Sequence, residues 1–344
     1  MLDKSMKVAV LTEPQKVEFR ELPRPEPGPG QVRLRLKLAS ICGSDVHLYQ
    51  GDWAKTMPYP VRPGHEGLGY VDAVGEGVTW FDIGQRVVIE PNFPCGQCKY
   101  CLKSKGNICP HKRITGVTEP GCFADYIVLP AKFAWPLPEH INNDDAVLIE
   151  PTAVAVHALR ISKAQPGEAI AVIGLGAIGV LLSHIAIKQG YTVLATDQRI
   201  NKIEWAERLG VIRPAITNGT EPAAQLTRQW DEFEVAAVFE CAGSAAATRL
   251  AIEAAPRGAE VVLVGLSSET TTFSPLQLTR KGNNILTSMI YDHPDDFGRT
   301  IGLIAGGIIE PRQVISRRYE FAEIAAALAA IAKGDEIKVV LDMV

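Results

Sequence analysis

Residues 169–190 read AIAVIGLGAIGVLLSHIAIKQG, an apolar strand-like run, a glycine turn and a stretch of helical character. Gly174, Gly176 and Gly179 form G-x-G-x-x-G within it. Alone, that motif is weak evidence. Here a strand precedes it, a helix follows, and TVLATD places Asp197 at the end of the next strand, roughly twenty residues on. The glycines let the backbone approach a pyrophosphate, the helix N-terminus attracts it, and the acidic side chain meets the ribose hydroxyls. Asp197 repels a 2′-phosphate and so points to NAD rather than NADP. An arginine such as Arg199 can accommodate a 2′-phosphate, which keeps NADP as the alternative, but beside Asp197 it reads as stacking on adenine or as a solvated helix-start residue.

Outward from this motif, the runs VAAVFE, EVVLVG and ILTSMI alternate with Ala-rich helical stretches from about Glu150 onward. Such alternation predicts a doubly wound parallel sheet with helices on both faces, an α/β Rossmann domain. Before it, alternating runs such as QVRLRLKLAS and RVVIE, separated by Pro and Gly groups such as PRPEPGPG, read as a mostly β domain. A chain of 344 residues suits two such domains. The last fifty or so residues hold DFGRTIGLIAGG, AEIAAALAAIAKG and the strand-like KVVLDM, and their pattern alone assigns them to neither domain.

Charged residues at 22% and a formal net charge of -4 lack the basic excess of a nucleic-acid binder. No apolar run reaches the length of a membrane span, and the first residues lack the sections of a secretory signal. The expectation is a cytoplasmic protein with small-molecule partners and neither nucleic acid nor membrane.

Of the seven cysteines, Cys95, Cys98, Cys101 and Cys109 crowd into PCGQCKYCLKSKGNIC as C-x2-C-x2-C-x7-C. Spacings this short let four thiolates converge on one tetrahedral ion, which makes a closed structural zinc site. An iron–sulfur run shares the first two spacings and the final Cys-Pro, but its last gap is three residues, not seven. Cys42 in SICGSDVH, with His65 and Glu66 in PGHEGLGYVDAVGEGV, supplies a thiolate, an imidazole and a carboxylate, the ligand types of an open catalytic zinc.

The run G-H-E-x2-G-x5-G-x2-V from Gly64 to Val78 resembles the signature of the zinc-containing medium-chain dehydrogenases, and the tetrad and glycine motif follow in that family's order. The resemblance covers the whole chain. It implies a chaperonin-10-like β-rich catalytic domain (residues 1–155 and 293–344) and a Rossmann NAD-binding domain (156–292). Glu150 in LIEPTAVAVHAL is similar to the Glu-Pro segment of the sorbitol dehydrogenase branch, where liver-type enzymes carry cysteine. This implies a polyol-like catalytic zinc site of Cys42, His65, Glu66 and Glu150. Whether Glu66, Glu150 or a water takes a given position stays open. Ser44 and His47 stand where the family keeps a proton relay, and Val154 where a side chain packs on the nicotinamide.

The resemblance implies oxidation of a secondary hydroxyl of a polyol, sugar acid or related alcohol, with NAD and two zinc ions, in a homodimer or homotetramer. It weakens at ILTSMIYDHP, where Ile290 and Tyr291 stand in place of the branch's Arg-Tyr pair. Threonine ranks lower as substrate, because Thr152, Ala153, Val154 and Ala155 replace that branch's Gly-Asn-Ala-Val. Simple secondary alcohols, a zinc-free NADPH reductase and a non-catalytic binding protein on the same fold are the alternatives. Tyr49 and Trp53 are candidates for a pocket wall, and Cys241 for the cofactor cleft.

Overall fold

A computed structural model describes residues 5–217 and 222–343. The chain divides into two compact units, residues 1–150 with 310–344, and residues 151–309. The final stretch therefore rejoins the first unit, but at 309/310 rather than 292/293, and the first boundary falls at 150/151 rather than 155/156. The later boundary has a physical reason. The helix Asp295–Ala305 buries Phe297 and Asp296, and Asp296 is tied to His157 and Arg160 of the helix Ile149–Ile161. Those contacts hold residues 293–309 in the second unit.

In that unit six strands run parallel in the spatial order Ile212–Ile216, Thr192–Asp197, Ala169–Ile173, Ala237–Glu240, Glu260–Leu263 and Asn284–Thr287. Numbered by sequence this is 3-2-1-4-5-6, the dinucleotide-binding topology, whose switch point lies between Ala169–Ile173 and Ala237–Glu240. The central strand AIAVI is buried at every position, as expected of a strand covered on both faces. The strand Ile212–Ile216 carries no apolar run; it tolerates Pro214 because it lies at the sheet edge, where its pairing skips that residue.

The first unit is built on a sheet ordered Ile315–Glu320, Lys338–Asp342, Gln31–Ile41, Glu66–Val74, Arg86–Ile89 and Ala134–Pro136, with Tyr126–Pro130 also pairing Gln31–Ile41. Val32, Leu34 and Leu36 face one buried side, which Val71, Val87, Ile127 and Leu129 share. Register decides what happens at one end. Ser40 opposes Glu66, and Val339 opposes Ile41, so the strand termini bearing Cys42, Glu66 and Lys338 are neighbours. The helix Gly43–Gln50 starts directly after that end, with Cys42 as its N-cap.

Candidate metal and dinucleotide sites

In the first unit the donor atoms of Cys42, His65 and Glu66 lie within 4.8 Å of one another. Asp45, fully buried, shapes this cluster: its two carboxylate oxygens accept from the backbone N–H of Cys42 and of Gly64, each at 2.9 Å. One of them lies 3.9 Å from His65 Nδ1, an outer contact of the kind that orients a metal-binding imidazole. Glu66 is held from the other side. Lys338 Nζ donates to it at 2.7 Å and to the carbonyl of Ile41 at 3.0 Å, and the Ser40 hydroxyl donates to its other oxygen. Glu150, at the start of the helix Ile149–Ile161, is buried in the same electrostatic neighbourhood and lacks such donors among the described residues.

The charge of this cluster decides what it can hold. Cys42 when ionised, Asp45, Glu66 and Glu150 are four acidic groups facing the Lys338 ammonium and one imidazole. Burial disfavours an imidazolium, yet the neighbouring Cys42, Asp45 and Glu150 overcome it and raise the proton affinity of His65 well above its ordinary value. Burial, reinforced by Glu66 and Glu90, pushes the Glu150 carboxyl up to about 7 against the pull of His65 and Lys338. A buried site this negative calls for cations, and a divalent ion meets the deficit better than protons. Thiolate, imidazole and carboxylate suit zinc.

The tetrad passes a geometric test. Sulfur–sulfur distances are 3.5 Å between Cys98 and Cys101, 3.8 Å between Cys98 and Cys109, and 3.9 Å between Cys95 and Cys101. Four sulfurs about 2.3 Å from a tetrahedral zinc stand about 3.8 Å apart, so the donors need no rearrangement. Backbone N–H groups of Gln97 and Cys98 lower the Cys95 thiol to about 6, preparing a thiolate. None of the seven cysteines is in a disulfide.

The helix that follows Cys42 carries Ser44 and His47. Ser44 Oγ is buried with no partner among the described residues, a rare state for a hydroxyl and one suited to a substrate oxygen. His47 is about half exposed. Tyr49 is a core residue and no pocket wall, whereas Trp53 lies against the His47 ring at 5.4 Å.

In the second unit the three glycines have separate jobs. A Cβ on Gly174 would meet the Ala242 nitrogen at 2.6 Å, and one on Gly179 would meet the Gly174 carbonyl at 1.9 Å, while one on Gly176 would meet nothing within 4 Å. The outer two allow close packing, and Gly176, N-cap of the helix Ala177–Lys188, is open to a ligand phosphate. Asp197 Oδ2 accepts from the Leu175 N–H at 2.7 Å and Oδ1 from the Arg199 N–H at 2.9 Å, so it also fixes the glycine turn. Gly174, Asp197, Arg199, Ala242 and Arg249 line one cavity of about 680 Å³, large enough for an adenosine. Cys241 is half-buried at the end of Ala237–Glu240 and does not line it. Val154 is the half-buried residue in a buried stretch of its helix.

Tyr291 is 2% exposed and packs edge-on against Phe297 at 5.5 Å, so its ring is core rather than part of a substrate surface. Sequence reasoning also passed over Ser40, Asp45 and Lys338, whose signals were a polar residue at the end of an apolar strand, an acid inside a helix start, and a lysine opening the apolar run KVVLDM.

Comparison with known proteins agrees with this construction. Residues 28–139 match the alcohol dehydrogenase GroES-like domain, and residues 177–306 the zinc-binding dehydrogenase domain. The chain is 32% identical over 329 residues to the starvation-sensing protein RspB of Escherichia coli K12, covering 94% of this chain and 95% of that one. It is 28% identical over 332 residues to sorbitol dehydrogenase of Bacillus subtilis, covering 94% and 93%. Among solved structures, an alcohol dehydrogenase (rspB) of E. coli CFT073 complexed with NADH superposes with TM-score 0.91 at 30% identity, covering 99% and 100%. A zinc-binding dehydrogenase of Sinorhizobium meliloti 1021 bound to NADP superposes with TM-score 0.91 at 28% identity, covering 98% and 99%. The chain belongs to the zinc-type medium-chain alcohol dehydrogenases, in their polyol dehydrogenase-like branch.

Proposed function

We propose that this enzyme oxidises a secondary hydroxyl of a polyol, sugar acid or related alcohol to a ketone, with NAD as the hydride acceptor. The observation that carries it is the cluster of Cys42, His65 and Glu66, with the Glu150 carboxyl in its electrostatic neighbourhood, followed, two residues after Cys42, by the buried Ser44 hydroxyl, which has no partner among the described residues. Zinc bound there would act as a Lewis acid that lowers the pKa of the substrate alcohol. Cys42, His65 and Glu150 are the residues best placed in charge to hold it, Glu150 directly or through water. Glu66 is engaged by Lys338 and Ser40 and serves from outside. Ser44 accepts the alcohol proton and, through the cofactor ribose, His47 passes it on to solvent. The tetrad holds a second, structural zinc.

On the cofactor side, Gly174, Gly176 and Gly179 admit the pyrophosphate, and Val154 packs on the nicotinamide. Asp197 takes the ribose hydroxyls and favours NAD, with Arg199 beside it in the same cavity. The relatives named above include a sorbitol dehydrogenase, which supports a polyhydroxylated substrate. Seven cysteines free of disulfides suit a reducing cytoplasm, and no helix among the described residues is long and apolar enough to cross a membrane. The strand Asn284–Thr287 ends its sheet and is the candidate edge for a homodimer or homotetramer.

A screen of polyols, aldonates, cyclitols, amino alcohols and simple alcohols with NAD and NADP side by side tests this reading. The expected result is the highest kcat/KM on a polyhydroxylated secondary alcohol with NAD. A higher value with NADP would overturn the role of Asp197, and turnover limited to primary alcohols would overturn the substrate class.

A further inference from the structure

The helix Gly43–Gln50 ends at Gly51, whose φ of 87° turns the chain back on itself. The N–H of Asp52 then donates to the carbonyl of His47 at 3.0 Å, which fixes the backbone of Asp52 one turn past that imidazole. Its carboxylate Oδ2 lies 2.7 Å from His47 Nδ1. The indole of Trp53 stacks on the same ring, with centroids 5.4 Å apart and planes 23° from parallel. An exposed histidine at a helix end ordinarily swings among rotamers; this one is held at an edge and on a face by two consecutive residues that a single C-cap puts in place.

We propose that Asp52 is the positioning residue of the proton-release path: its carboxylate holds His47 in the Nδ1–H tautomer and leaves Nε2 free to take the proton delivered through Ser44. A carboxylate can only accept, so Nδ1 must carry the hydrogen of that bond and Nε2 the lone pair. The proton balance is simple. Ser44 gives up one proton as it receives one from the alcohol, the cofactor ribose hydroxyls carry that proton to Nε2, and the imidazolium gives one to solvent. The proposal rests on the relay reading above and adds to it the group that selects the tautomer.

The direct test is ¹⁵N NMR of the zinc-loaded full chain labelled at histidine, with the His47 signals assigned by loss in His47→Asn. Wild type should show a protonated Nδ1 and a bare Nε2. Asp52→Asn should shift both resonances toward a tautomer mixture, and Asp52→Glu should restore most of the wild-type pattern. With sorbitol and NAD, Asp52→Asn should lower kcat about tenfold with KM within about twofold, and Asp52→Glu should recover it. Unchanged His47 resonances in Asp52→Asn would overturn the proposal. So would an unchanged kcat in Asp52→Asn when His47→Ala is impaired. If His47→Ala itself keeps full kcat, the relay reading fails instead, and the tautomer measurement still decides what Asp52 does.

Discussion

Among the described residues, and apart from the cysteine tetrad, two clusters bring three potential metal donors within 4.8 Å: Cys42, His65 and Glu66 in the first unit, and His157, Asp292 and Asp296 in the second. By spacing they are equals. By charge they are opposites. In the second cluster Arg160 donates to Asp296 at 2.8 Å through Nε and to Asp292 at 2.8 Å through Nη2, and His157 Nδ1 lies 2.6 Å from Asp296. The guanidinium and imidazole already satisfy the carboxylates, so the group is a clasp between the helices Ile149–Ile161 and Asp295–Ala305. In the first cluster one buried lysine and one imidazole meet four acidic groups, and the remaining deficit is what an ion supplies. Donor spacing gathers a cluster; charge balance decides whether it is a metal site or an ion pair.

That contrast can be broken by substitution. The largest effect is expected for His65→Ala, which removes a zinc ligand and with it several kcal/mol of Lewis-acid stabilisation; kcat/KM in the alcohol assay should fall roughly ten-thousandfold, whereas His157→Ala should leave it within about tenfold. Next is Lys338→Met, which leaves Glu66 buried beside its acidic neighbours without its ammonium. Breaking a buried pair from one side costs about 3–5 kcal/mol, which chemical denaturation should register, and Glu66→Gln in the same chain should return part of it.

Asp296→Asn is expected to cost about 1–3 kcal/mol by weakening charge-assisted bonds in the clasp, again read by denaturation. The clasp also has a pH signature. Burial alone would raise the Asp296 pKa, but His157 and Arg160 outweigh it and hold the carboxyl well below the usual range. Its stabilisation is therefore complete above about pH 4 and is lost as pH falls from there toward the depressed value. Asp296→Asn should flatten the acid limb of a Tm-against-pH curve without touching the alkaline limb. The smallest effect is expected for Asp197→Ser, about tenfold in the NAD-to-NADP ratio of kcat/KM, because it relieves repulsion of a 2′-phosphate without adding a cation for it.

Much of this was legible before any coordinates. The cysteine tetrad needs only local chain, so its spacing foretold sulfur distances of 3.5–3.9 Å. The nucleotide unit announced itself through a fully apolar central strand and a glycine turn that must lie next to each other in sequence to work. The strand Ile212–Ile216 escaped because an edge strand needs no apolar run, and its Arg213 and Pro214 resemble a loop. In the metal cluster the ligand types were readable but their partners were not. Lys338 is 272 residues from Glu66, and nothing near either residue states that strand register will join them. The place of Tyr291 was illegible for the converse reason: a motif position gives residue type, and only packing shows that its ring lies on Phe297.

Whether charge balance separates the two clusters is read from the zinc content of protein purified without chelator. Wild type should carry about two zinc ions per chain, one in the tetrad and one at Cys42 and His65, and Cys42→Ala with His65→Ala should carry about one. His157→Ala with Asp292→Asn should still carry two. Wild type with one zinc or fewer, or loss of zinc on changing His157 and Asp292, would contradict the account.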